Sequence, residues 1–320
     1  MTKLALYPIY DNKVVQPHYT IQRVFEKHFD CITFDWHNRS KVIGLKRTWD
    51  EFLLLLRKKK PEYAFMQLQN PVNMDVRIIR QMARHTKIIT WCGDVRHTPE
   101  WYRWHKDIGK QIHLSLFSNN SDVMKMRAAG IRADFLQIGI DDGWYFSDGR
   151  EKSGPKIVYS AHHYGIFQLS KYRLECATAL KEAFGDDFKL YGRAWPKDVF
   201  GNVTISGCHE EAESYRNAEI GLSVSNMNLR NYHSDRLLRV MACDCLAMSH
   251  DYQGVEEDWD IGNELVIFTD PKDLVDKCKE YLLNKDEAIR RRQNALKAID
   301  QRCTWDYRMI QLKQLLEKYP

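Results

Sequence analysis

Two hydrophobic periods alternate along this chain. The runs LALYPIY (4–10), CITFDW (31–36), YAFMQLQ (63–69), KIITWCGD (87–94), HLSLFSN (113–119) and ADFLQIGI (133–140) read as strands. Between them IQRVFEKHF (21–29), WDEFLLLLRKK (49–59, stopped by Pro61), MDVRIIRQMARH (74–85) and a segment from Ser121 to Ala129 place apolar residues at helical spacing. Ser121 is the expected N-cap of the last of these. Strand followed by helix, repeated, predicts a parallel, doubly wound sheet. The rhythm breaks at DDGWYFSDGREKSGP (141–155), rich in Gly, Asp, Ser and Pro, which is the expected hinge between two domains, 1–148 and 149–320. A second sheet then follows. Its expected strands are KIVYSAHH (156–163), FKLYGRAW (188–195), AEIGLSVS (218–225), the end of HSDRLLRVMACDCLAMS (233–249) and VIFTD (266–270), with helices over 169–184, from His233 and from Pro271 to Asn284. The last forty or so residues read as two helical stretches around Cys303.

Composition narrows the picture. The chain has 320 residues, enough for two α/β domains, with 44% hydrophobic and 28% charged residues and no repeat at a fixed period. The eight cysteines show no paired CxxC spacing, so reduced, mostly buried thiols are expected rather than zinc ligands or disulfides. The N-terminal apolar run is too short for a signal peptide and no segment approaches a membrane span, from which a cytoplasmic protein is expected. Charge is unevenly distributed. Residues 1–150 carry 24 Lys and Arg against 16 Asp and Glu, and the remainder 24 against 27. A basic half fits an anionic partner such as nucleic acid, phospholipid or acidic glycan, or simply a solvated charged surface.

Several chemistries are disfavoured by missing motifs. No GxGxxG follows the first strand and no GxxxxGK[ST] occurs, against a nicotinamide or flavin enzyme and a P-loop NTPase; HExxH and GxSxG are absent as well. The run EEDWD (256–260) has an Asp-x-Asp spacing able to hold a divalent metal, but a solvated acidic loop is the favoured reading, and no metal site is expected.

The stretch NLRNYHSDRLLRVMACDCLAMSHDYQGVEEDW, followed by GNELVIFTDPKDLVDKCKEYLLN and AIRRRQNALKAI, resembles the C-terminal domain of GT-B glycosyltransferases of the group 1 type, in particular the spore-maturation-protein (CgeB-like) branch. Ser-x-Arg opens a helix, and an Ala-Cys run, an apolar strand, an acidic loop and Asp-x-x-Asp-Leu follow in order. IHLSLFSNNSDVMKMRAAGIRADFLQIGIDDGWYF is similar to the end of such an N-terminal domain. The resemblance implies two Rossmann-like domains facing across a cleft, C-terminal helices packing back toward the N-terminal domain, and a nucleotide-sugar donor, UDP-linked, as co-substrate without a further cofactor. It departs from the family where relatives carry two glutamates eight positions apart, since Asn231 and Arg239, which the resemblance makes donor-binding candidates, occupy those positions, and where a Gly is usual, at Asp244.

Residues follow from both readings. A helix beginning at Ser234 offers free N–H groups and a positive dipole end to a diphosphate, and Arg236 adds a cation on its first turn. Otherwise Ser234 is an N-cap and Arg236 a surface residue. Asp235 or Glu256 would supply the carboxylate absent at Arg239. Ser160, His162, His163 and Tyr164, at the end of a strand, are candidate donor contacts, and Arg193 ends the next strand as either a cleft cation or a surface residue. Asp94, after IITWCG, is either the catalytic base or a turn residue. The segment RHTPEWYRWHK (96–106), expected as a loop, interleaves Arg96, His97, Arg103, His105 and Lys106 with Trp101, Tyr102 and Trp104. Cations with stacking rings suit a DNA acceptor carrying a hydroxylated base, as in phage genome modification, with HNRSKVIGLKR (37–47) extending the track. A lipid-linked envelope glycan is the rival, and core packing of the aromatics is the third alternative. A non-catalytic nucleotide-sugar-binding module and a nucleotide-sugar epimerase remain alternatives to transfer.

Overall fold

The computed structural model describes residues 3–7, 18–69, 74–95, 98–204 and 207–320. The chain divides into two compact units, Met1–Ile138 together with Trp305–Pro320, and Gly139–Thr304.

Unit 1 runs β1 (Lys3–Tyr7), α1 (His18–His28), β2 (Asp30–Thr33), α2 (Trp36–Ile43), α3 (Leu45–Lys59), β3 (Tyr63–Gln67), α4 (Val76–Met82), β4 (Lys87–Cys92), α5 (Pro99–Gly109), β5 (Leu114–Phe117), α6 (Asn120–Ala128) and β6 (Ala133–Phe135). The sheet is parallel, in the order β2-β1-β3-β4-β5-β6. β3 is buried along its whole length and β4 beyond its first residue, because helices cover both faces of a parallel sheet. α3 shows how sequence makes these layers. Trp49, Phe52, Leu53 and Leu56 form its buried stripe, and Lys60 in the left-handed conformation, followed by Pro61, ends it.

Unit 2 runs β7 (Ile157–Ser160), α7 (Ser170–Phe184), β8 (Phe188–Tyr191), α8 (Lys197–Phe200), α9 (Cys208–Asn217), β9 (Ile220–Ser223), α10 (Asp235–Ala242), β10 (Leu246–His250), α11 (Val255–Asp258), β11 (Val266–Phe268), α12 (Pro271–Leu283) and α13 (Lys285–Arg302). Its parallel sheet has the order β11-β10-β9-β7-β8. The order reverses between β7 and β9, the point at which an open α/β sheet opens a crevice at its carboxyl edge.

The division falls ten residues before the expected one. The connector 141–148 belongs to unit 2 because it is fastened there: Ile140 donates its N–H to Cys303 O at 2.8 Å, and Tyr145 donates its hydroxyl to Glu211 at 2.5 Å. α14 (Trp305–Lys318) belongs to unit 1. Its Trp305 meets Trp91 edge-on at 5.4 Å, and Met309, Leu312 and Leu316 join the core of Phe25, Phe65 and Ile89.

Some local expectations change. The N-cap of α6 is Asn119, whose side chain accepts from Asp122 N at 2.8 Å, so Ser121 lies inside the helix. CITFDW ends as a strand at Thr33 because Asp35 caps α2, accepting from Asn38 N at 3.1 Å. The basic segment 37–47 is therefore helix α2 and the start of α3, and its Arg39 is clamped in a two-bond pair with Glu51. RHTPEWYRWHK becomes helix α5 from Pro99 onward, with Thr98 as cap.

Candidate functional site

Three strand ends build the carboxyl edge of unit 2. After β7 the chain runs SAHHYG alongside the YGRAW segment that follows β8. Ala161 N donates to Tyr191 O, His163 N to Arg193 O, and Arg193 N to His162 Nδ1, each at 2.9 Å. Trp195 Nε1 closes the pair by donating to Ala161 O at 2.6 Å. Glycine is required between the two segments. Gly192 has φ 131°, and a Cβ there would lie 1.9 Å from Ala161 O.

Arg236, on the first turn of α10, bridges the two strands that flank the reversal. Its Nε donates to Ser160 O at the end of β7, and its Nη1 donates to Val224 O just past β9 at 3.2 Å and to Ser234 Oγ at 3.1 Å. Ser234 occupies the N-cap position but does not cap with its hydroxyl, which instead accepts from Arg236. Its own N–H is taken by Ser225 Oγ at 3.1 Å. A second guanidinium lies behind the first: Arg173, only 1% exposed, donates to Tyr159 Oη at 2.8 Å and to Asn226 Oδ1. Both guanidinium groups lie over the Tyr159 ring, at 5.9 and 5.6 Å. Burial holds the His162 imidazole below its ordinary pKa, and the positive fields of Arg193, Arg236 and Arg173 hold it lower still. Among the described residues none of these three arginines is ion-paired with a carboxylate. A buried cation without an anion is costly. This arrangement is therefore suited to an anion arriving from outside the chain, next to the amino end of α10.

The other expected donor residues fall into separate roles. Asn231 is buried, in the left-handed conformation, and its amide donates to Gly254 O, Glu257 and Asp258 at 3.1–3.2 Å, so it pins the acidic turn. That turn, α11, is further tied by Tyr252 donating to Asp258. Among the described residues no group of three His, Cys, Asp or Glu is placed to hold a metal ion. Arg239 is paired with Glu211 at 2.8 Å and with Asp235, one turn before it. Asp235 is thus ion-paired with Arg239 across one turn of α10, with its side chain 39% exposed. Glu256 is exposed on α11, and Tyr164 is 52% exposed beside His162, their rings 5.8 Å apart. His163 packs its ring against Trp195 at 5.2 Å.

In unit 1, Asp94 is exposed just past the carboxyl end of β4. The glycine before it has a packing reason, since a Cβ on Gly93 would come within 2.8 Å of the Trp91 ring. Arg96 and His97 lie outside the described residues. Trp101 and Trp104 are 2% and 8% exposed, and their indole N–H groups donate to Gln69 O and Met74 O inside the unit. The expectation that these rings stack on an unpaired base is overturned, because they are the apolar stripe of α5. His105 lies among Trp101, Trp104 and Phe117, and burial pushes its pKa down to about 3, so it carries no charge near neutrality. Arg103 and Lys106 are exposed on the other face of the helix.

Comparison with known proteins bears on the fold. A family model described as "Glycosyl transferase-like" matches residues 173–314. No curated protein matches in sequence. Among solved structures, Anabaena HepE in complex with UDP and glucose aligns with a TM-score of 0.68 at 9% identity, covering 99% of this chain and 100% of that one. Sucrose-phosphate synthase from Thermosynechococcus elongatus aligns with a TM-score of 0.66 at 9% identity over 99% of both chains. A putative UDP-N-acetylglucosamine 2-epimerase from Listeria monocytogenes aligns with a TM-score of 0.61 at 9% identity, covering 99% of this chain and 95% of that one. The chain has the GT-B fold. At such identities the likeness carries fold alone, and chemistry has to be argued from the site.

Within this GT-B chain, sequence reasoning passed over Arg173, Tyr159 and Asn226. A signal for Arg173 was present. α7 buries Ser170, Arg173, Cys176, Ala177 and Leu180, so a cation occupies a position on the apolar stripe, where charge is tolerated only with a specific partner. Asn226 carries no such periodic mark, because the segment after β9 is irregular.

Proposed function

We propose that this chain is a glycosyltransferase whose donor is a nucleoside diphosphate sugar, UDP-linked, with the diphosphate seated at the carboxyl edge of unit 2. The observation that carries the reading is Arg173, buried without a carboxylate beside Arg236 and within the field that Arg193 shares at His162. Two negative charges on the diphosphate offset the desolvation of buried Arg173 and half-buried Arg236, and the N–H groups opening α10 add the dipole. The acceptor hydroxyl attacks the anomeric carbon, the bond from that carbon to the diphosphate oxygen breaks, and UDP leaves with the electron pair. Charge grows on the departing phosphate oxygen, where fixed guanidinium groups stabilise the transition state more than the ground state. The glycosyl transferase-like match over 173–314, which contains Arg173, Arg193 and Arg236, supports the assignment.

Asp94 is proposed as the base that takes the acceptor proton, on the strength of its exposed position at a strand's carboxyl end. Asp94→Asn is then expected to lower turnover by about 10²-fold or more with UDP affinity unchanged; near-normal turnover would assign the proton to another group. The reading as a whole is tested by offering UDP-sugars with and without candidate acceptors and following UDP release together with the sugar product by mass spectrometry. Acceptor-dependent release with a mass gain on the acceptor is expected. Release of a free epimer without acceptor, or no turnover of any nucleotide sugar, would overturn it.

A further inference from the structure

The amino edge of the unit 1 sheet, opposite the edge that carries Asp94, is strongly cationic. α3 ends in Arg57, Lys58 and Lys59 and is capped by Lys60, α4 is followed by Arg84, His85 and Lys87, α5 by Lys110, and α6 by Arg132. These segments enter β3, β4, β5 and β6, neighbours in the sheet. Contacts join them into one surface: Arg57 Nε donates to His85 Nε2 at 3.2 Å, Lys87 N to Glu62 O at 3.1 Å, and Lys87 Nζ lies 5.4 Å above the Tyr63 ring. Tyr63 in turn lies 5.9 Å from the His113 ring, whose Nδ1 is 3.4 Å from Arg132. Lys87 and Arg132 also help hold the His113 imidazole below its ordinary pKa, after burial. Arg57, Lys58, Lys59, Lys60, Arg84, Lys87, Lys110 and Arg132 are exposed, and among the described residues none of them is ion-paired with a carboxylate. A cation at a helix carboxyl end answers the dipole there. One would suffice for each helix, yet α3 alone presents four.

We propose that this edge docks the protein on an anionic phospholipid surface. Most of the cations are lysines, compact charges on flexible stems that suit a fluid layer of headgroups rather than paired base edges. Leu54, 60% exposed one turn before Lys58, supplies an apolar contact on the same face of α3. The rings at this edge do not form a stacking platform for a single strand, since Tyr63 is 4% exposed and faces His113. Docking in this way turns the carboxyl edge, with Asp94, away from the lipid and toward the aqueous phase.

Vesicle sedimentation of the full chain tests the proposal independently of any transfer activity. Binding to phosphatidylcholine vesicles containing about 30 mol% phosphatidylglycerol is expected, and none to pure phosphatidylcholine. It should weaken at least tenfold between about 50 and 300 mM salt. The triple variant Lys58→Glu, Lys59→Glu, Lys60→Glu should lose roughly a hundredfold in vesicle affinity with an unchanged circular dichroism spectrum. Reversing the exposed Lys181, Lys279 and Lys297 of unit 2, an equal change in net charge, should leave binding near the original value. Equal binding to both vesicle types, equal losses in the two triple variants, or DNA displacing the protein from vesicles at matched phosphate concentration would overturn it.

Discussion

The two units share a parallel α/β plan, yet their carboxyl edges treat charged and aromatic residues in opposite ways. In unit 2, Arg236 on the first turn of α10 donates to the backbone carbonyls that end β7 and follow β9, and it shares the Tyr159 ring with Arg173, which is drawn into the interior. In unit 1, the segment richest in alternating cations and rings folds as α5, sending Trp101, Trp104 and His105 into the core and Arg103 and Lys106 to the surface. Spacing explains the difference. Trp101, Trp104, His105 and Ile108 recur at three and four residues, a helical stripe, and a helix sorts polar from apolar by face. In unit 2 the mark of the candidate site is a cation, Arg173, buried without an acid, and the unit 1 helix shows that rings near cations are not such a mark.

That contrast can be broken in graded steps. Trp104→Ala should cost about 3–5 kcal/mol of unit 1 stability by opening a cavity next to Phe52 and Ile108, read by thermal or denaturant unfolding. Arg103→Ala, on the exposed face of the same helix, should stay within about 0.5 kcal/mol. If instead Trp104→Ala left stability intact and abolished acceptor binding, the ring would be functional and the sorting argument wrong. Arg173→Met sharpens the comparison from the other side. It removes the buried charge, which offsets the lost hydrogen bonds to Tyr159 Oη and Asn226 Oδ1, so stability should change by no more than about 1–3 kcal/mol, while UDP affinity falls by about tenfold or more. A loss of stability with UDP affinity preserved would make Arg173 a structural residue. The smallest effect concerns pH. His162 is held neutral by burial and by the arginine field, and a bound diphosphate would cancel that field and raise its pKa. Binding would then take up protons, so UDP affinity in the original protein should rise relative to His162→Gln as pH falls below neutrality; parallel pH profiles would place His162 away from the phosphates. For folding the sign is the same group read alone: a depressed histidine pKa costs stability as pH drops below about 6.5, because the unfolded chain binds the proton more readily.

Much of the fold was legible in the sequence, because buried parallel strands are apolar runs and most helices here carry a clear stripe. Among the described residues, all eleven strands lie within the expected runs or overlap them by all but an end residue. α2, α5, α8, α9 and α11 escaped notice, α5 because its interleaved cations and rings read as a loop and the others for local reasons. α2 begins inside an apolar run that reads as strand until Asp35 caps it, and α8 and α11 are single turns of four residues. The site was legible only in part. The start of α10 can be read from Ser-Asp-Arg, but the partners of Arg236, Ser160 O and Val224 O, are backbone atoms brought together by strand order, which no local pattern encodes. Likewise Asn231 and Arg239 look like donor residues in sequence and turn out to be held by Glu257 and Asp258 in one case and by Glu211 and Asp235 in the other.

The central claim is that the carboxyl edge of unit 2 is a diphosphate site organised by Arg236. Isothermal titration of UDP into the full chain and into Arg236→Ala, with uridine as a control lacking phosphates, tests it most directly. The account predicts that UDP binds, that uridine binds far more weakly, and that Arg236→Ala loses about 30-fold or more in UDP affinity, the worth of a charge-assisted contact of about 2 kcal/mol, while uridine binding is unaltered. Equal affinity for UDP in both proteins, or equal affinity for UDP and uridine in the original, would contradict it.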